Sequence, residues 1–93
     1  MRDAEEIRRQ VNASRVQFIN TELDLAMTFS SVAAYRGLDE KMTARNRNYA
    51  RKTYENATRV LAGADLSPTE HANVESKVQR IKTALENMDS RAA

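Results

Sequence analysis

Residues 49–64 read YARKTYENATRVLAGA, and within them Ala50, Tyr54, Ala57, Leu61 and Ala64 recur at steps of four, three, four and three. That spacing winds one apolar stripe along a helix. Alanines in the stripe let a second helix come close. Tyr49, Thr53 and Val60 lie one position to the side and widen it, so this helix is expected to pack between two neighbours. A chain organised round such a helix must supply two more.

The rest of the sequence supplies them. Two glycines and one proline in 93 residues leave few turns, and helix formers dominate, which predicts an all-α fold without strands. The length fills a single core, so residues 1–93 are read as one domain. The expected architecture is an antiparallel up-down-up three-helix bundle, with helices at about 4–36, 40–62 and 68–89.

Asp3 followed by Glu6 marks the first helix start, since the aspartate caps free backbone N–H groups and the acids suit the positive end of the helix dipole. Its apolar residues form two rows: Val11, Phe18, Leu25, Phe29 and Val32, and beside them Val16, Ile19, Leu23, Ala26 and Ala33. The whole face between Phe18 and Val32 is expected to be buried. Before Val16 the apolar residues thin to Ile7 and Val11 among arginines and glutamates, so this end is expected to overhang the bundle or fray.

Arg36-Gly37-Leu38-Asp39 reads as the first hinge, with a glycine able to take a left-handed position, a leucine to cover the helix end and an aspartate to cap the next start. Helix two then begins at Glu40, with Thr43 as the alternative. Gly63 closes it. Ser67-Pro68-Thr69-Glu70 is a capping box with proline at the first helical position, and Leu66 and His71 hold the two staple positions. Val74, Val78, Ile81, Leu85 and Met88 follow as a narrow stripe, as expected of an outer helix, and residues 89–93 are expected to fray.

These core residues resemble the tetratricopeptide repeat, a helical hairpin read by small and large residues at set spacings. Leu25-Ala26-x-x-Phe29 is similar to its first-helix signature, and Ala50-x-x-x-Tyr54-x-x-Ala57 to its second. The chain departs from the pattern at Glu22, where the repeat has tryptophan, and at Ala62, where it has proline, with Pro68 following later. The likeness spans about residues 22–88 and implies one elongated repeat closed by a third helix. The three-helix microtubule-interacting-and-transport domain is similar in architecture. Either resemblance implies protein binding, with the tightest seam where Ala50, Tyr54 and Ala57 meet Phe29.

Other function classes find little support. The chain has no cysteine, hence neither a disulfide framework nor a thiolate site. His71 is the single histidine, and Glu70 beside it points about 100° away on a helix, so a surface or staple role is the plainer one. Glu22 and Asp24 face different ways and no Glu-x-x-His pair exists, so no catalytic residue, metal site or cofactor is expected. The opening MRDAEEIRRQ is charged where a signal peptide turns apolar, and no run approaches a membrane span. A cytoplasmic location is expected.

Charge is the remaining signal. Residues 36–59 carry seven basic and three acidic side chains, +4, whereas 1–35 and 60–93 each carry four basic and five acidic, −1. Lys41, Arg45, Lys52 and Arg59, with Asn48 and an interrupting Glu55 interspersed, share one face of helix two. The plain alternative is a solvated face salt-bridged to its acidic flanks. The functional expectation is a non-catalytic interaction module, an adaptor or scaffold binding another protein or a second copy of itself. Its surfaces would be Ile7, Val11 and Arg15 on the overhang and that basic face. The alternative is a nucleic-acid-associated protein using the same cations.

Overall fold

The computed structural model describes residues 3–35, 37 and 39–92, with side chains through residue 90. Three helices account for almost all of it: α1 Ala4–Ala33, α2 Glu40–Leu61 and α3 Pro68–Ala92. No strand occurs among the described residues. The chain is all-α, and its helices pack as a three-helix bundle.

The helix starts follow side-chain chemistry. Asp3 is extended and its carboxylate accepts the Glu6 N–H at 2.8 Å. Asp39 does the same for Met42 at 2.8 Å, so α2 begins at Glu40 and not at Thr43. At α3 the capping box closes both ways: the Glu70 N–H donates to Ser67 Oγ at 3.2 Å and the Ser67 N–H to Glu70 Oε1 at 2.9 Å.

The ends depart more from expectation. α1 stops at Ala33, short of residue 36, where Ala34 and Tyr35 turn their N–H groups back to Ser30 and Val32. Arg36 and Leu38, which were to flank and cover the hinge, lie outside the described residues. No glycine among the described residues has a positive φ, so the left-handed role is not found. What Gly37 does provide is room, since a Cβ there would come within 2.6 Å of the Tyr35 ring. α3 continues in helical conformation to Ala92 instead of fraying from Asp89, which pairs with Arg51 of α2.

α1 packs most extensively on α2, less on α3, and α2 touches α3 least. The core comprises Ile19, Leu23, Ala26 and Ala33 of α1, Ala50 and Ala57 of α2, and Val74, Ile81, Leu85 and Met88 of α3. Phe29, Tyr54 and Val78 pack half-buried against it. The alanine stripe of α2 is thus buried as its spacing predicts, and so is the narrow row of α3. The aromatic partner of Phe29 is Tyr49, with ring centroids 5.3 Å apart at 48°, instead of Tyr54.

Three hydrogen bonds bolt the α2–α3 loop to α1. Asn12 Nδ2 donates to the Asp65 carbonyl at 2.8 Å, the Asp65 N–H donates back to Asn12 Oδ1 at 2.7 Å, and Arg15 Nη1 donates to the Gly63 carbonyl at 2.9 Å. The overhang of α1 therefore begins before Asn12, not at Val16. The molecule is a rod of 55 × 23 × 18 Å with a radius of gyration of 15.8 Å. A compact domain of this length has about 12 Å.

Candidate functional site

The broad buried face expected on α1 is divided in two. Val16, Ile19, Leu23, Ala26 and Ala33 are buried, whereas Val11 (45% exposed), Phe18 (41%), Leu25 (40%) and Val32 (37%) face outward. At 100° per residue the two rows lie about 120° apart. The division has a packing cause. α2 presents Ala50 and Ala57, so α1 sits close and one row fills the seam. α3 covers the opposite flank of α1, where Lys77 holds Asp24 at 2.9 Å and Asn20 at 3.0 Å, and where Met27, Ser30 and Ala34 border Ile81 and Ala84. The second row lies outside both contacts and stays partly open to water.

That row recurs every seven residues, the period of a helix seam that accepts another helix. α2 extends the face with Met42 and Tyr49, both exposed and again seven apart, and with half-buried Val60. Near one end, Gln10, Val11, Ser14, Arg15, Phe18 and Val60 surround an open hollow of about 590 Å³. From Val11 to Val32 the face runs about 32 Å, and two adjacent helices make it about 20 Å wide, or roughly 600 Å². Within that footprint the apolar side chains are interleaved with polar ones and, Val60 apart, stay 37–47% exposed. The chain exposes 6711 Å² in all, against about 5,400 Å² for a compact monomer of its mass, an excess to which the rod shape and this face both contribute.

The residues singled out in the sequence are distributed unevenly about this face. Val11 stands in the exposed row. Ile7 is exposed one turn before it, in a second hollow with Arg8, Asn12 and Asp65. Arg15 lines both hollows but is tied to the Gly63 carbonyl, so it helps hold the loop. Lys41, Arg45, Lys52 and Arg59 are all exposed. On the α2 wheel they lie about 75° from Met42, Tyr49 and Val60, on the side away from the core, and so edge the apolar face. Among the described residues the ion pairs are Arg51–Asp89 and Lys77–Asp24, and neither involves this basic row. The row is therefore a solvated face, and the salt bridges expected between it and the acidic flanks are not found among the described residues.

Phe18, Leu25 and Val32, expected in the core from periodicity, are instead exposed. Their seven-residue spacing beside a second complete apolar row was the available signal, because one seam against a small-residue helix has room for one row. His71 is exposed at the edge of a hollow of about 280 Å³ walled by Leu61, Ala64, Leu66, Val74 and Glu75. Among the described residues no group of three or more His, Cys, Asp or Glu is placed to hold a metal ion, and no helix is long and apolar enough to cross a membrane. No protein-family model matches the chain, and neither a curated protein nor a solved structure does.

Proposed function

We propose that the chain is a non-catalytic protein-protein interaction module, a small helical adaptor or scaffold of the cytoplasm that engages its partner through the open α1–α2 face. The observation that carries this reading is the exposed row Val11, Phe18, Leu25 and Val32, which a self-sufficient bundle has no need to present to water. The lack of cysteine accords with a reducing compartment.

A tetratricopeptide-like hairpin with a third capping helix is the architecture in keeping with this role. Supporting an up-down-up course, early α1 meets the end of α2 through Arg15 and Gly63, and late α1 meets early α2 through Phe29 and Tyr49. The start of α3 lies by the end of α2, around Leu61 and His71, and its end lies by Arg51. In tandem repeats the open side of such a hairpin is where the next repeat stacks. Here it is left for a partner.

Site-specific photo-crosslinking in cells tests the reading. Benzoylphenylalanine at Leu25 is expected to yield a discrete crosslinked species, lost when Phe18→Asp is added, whereas the same probe at Glu86 on α3 yields none. Equal labelling from both positions, or none from Leu25, removes the open face as the partner surface. The exposed basic row favours a second reading, association with nucleic acid. Titration of random duplex across salt concentrations separates the two, because phosphate contacts by Lys41, Arg45, Lys52 and Arg59 would make affinity fall steeply with salt.

A further inference from the structure

Building on the open-face reading, we infer that the occupant of this face is a single amphipathic helix with an apolar seam and an acidic flank. The seven-residue recurrence of Val11, Phe18, Leu25 and Val32 is helical in period, so an apolar row on another helix meets it layer by layer. The row is about 32 Å long and suits a ligand helix of roughly 22 residues. The hollow between Val11, Phe18 and Val60 receives one large apolar side chain near one end of that helix.

Charge selects the flank. One edge of the face is the exposed row Lys41, Arg45, Lys52 and Arg59, which forms no ion pair among the described residues and which the single Glu55 within it offsets only in part. The other edge, on α1, is Ser14, Thr21 and Thr28, which are exposed and neutral. A helix lying between them gains by placing Asp or Glu toward α2 and small polar residues toward α1.

The same distribution argues against a second copy. In a two-fold pair this face meets itself, and it offers four cations with half-buried Glu22 and the Glu55 beside Arg59 to answer them, since Asp24 is already held by Lys77, so two positive charges are left over. The basic rows would remain in excess.

The test uses two synthetic 22-residue helices with leucine at the seam positions, one carrying glutamate along a flank and the other lysine. Fluorescence anisotropy against the intact protein at low salt should show the glutamate peptide binding at least tenfold more tightly, about what four exposed rim pairs supply together. That margin should shrink with added salt, collapse to about equal binding in Arg45→Glu/Arg59→Glu, which brings the row to zero net charge, and vanish with all binding in Phe18→Asp, whose folding circular dichroism verifies. Equal binding of both peptides overturns the acidic specificity while leaving a helix-docking face. Binding of neither, with Leu25 still crosslinking in cells, overturns the helical occupant alone. A dimer in sedimentation that Phe18→Asp dissociates gives the face to a second copy, and preference for duplex DNA over the glutamate peptide gives the basic row to phosphate. Either outcome overturns the inference.

Discussion

Leu23 and Leu25 are two residues apart on one helix and have opposite surroundings, so truncating each to alanine weighs the two rows of α1 against each other. Leu23 is 0% exposed within the core cluster. Its removal takes the transfer free energy of the buried carbons and leaves a cavity that α2 and α3 can only partly close, which costs about 3–4 kcal/mol. Leu25 is 40% exposed, and water fills the space it leaves. Three carbons at about 0.8 kcal/mol each, little more than half covered, amount to about 1.4 kcal/mol, and alanine's higher helix propensity returns a few tenths, for a net loss of about 1 kcal/mol. The expected gap of about 2–3 kcal/mol is read by urea denaturation followed by circular dichroism, with unchanged m-values. In thermal unfolding the midpoint should fall by about 20 °C for Leu23→Ala and about 6 °C for Leu25→Ala. Losses within 0.5 kcal/mol of each other, or a larger loss at Leu25, would refute the division of α1 into a core row and an open row.

Asn12→Ala removes both hydrogen bonds to Asp65 and should cost about 1–2 kcal/mol in denaturation, with faster exchange of the Asp65 amide; unchanged exchange would mean that the loop is held without them. Ser30→Ala should stabilise by about 1 kcal/mol, because its buried hydroxyl has no hydrogen-bond partner among the described residues and alanine is the better helix former. A lower midpoint for this variant would show the hydroxyl to be satisfied. Ala57→Leu overfills the α1–α2 seam and should cost about 1–3 kcal/mol, while Ala72→Leu on the exposed side of α3 stays within about 0.5 kcal/mol, and equal costs would show that the helices do not approach closely at Ala57.

Much of the bundle was legible from local chemistry. Asp3, Asp39 and the Ser67–Glu70 box mark helix starts because each satisfies backbone N–H groups within its own turn, an interaction needing no distant partner. The α2 and α3 stripes were equally plain, since each helix has one compact apolar row and hence one way to face a core. Helix ends were harder. α1 stops at Ala33 and α3 runs to Ala92 because those limits depend on what the neighbouring helix leaves to bury or pair, as Asp89 does with Arg51. The bolt between Asn12 and Asp65 joins residues far apart in sequence, and no spacing rule announces it.

The amino-acid order by itself determined that there would be three helices, where each begins, and that α2 would be the close-packing one, because caps and periodicity are properties of a few neighbouring residues. It left α1 with two apolar rows of similar strength. Only the assembled bundle chose between them: alanines on α2 drew α1 in along Ile19, Leu23 and Ala26, α3 took the far flank, and Phe18, Leu25 and Val32 were left partly facing water beside an exposed basic row. A helix can turn only one side into a given seam, and that limit, set by volume and not by hydrophobicity, leaves the unused side open to water.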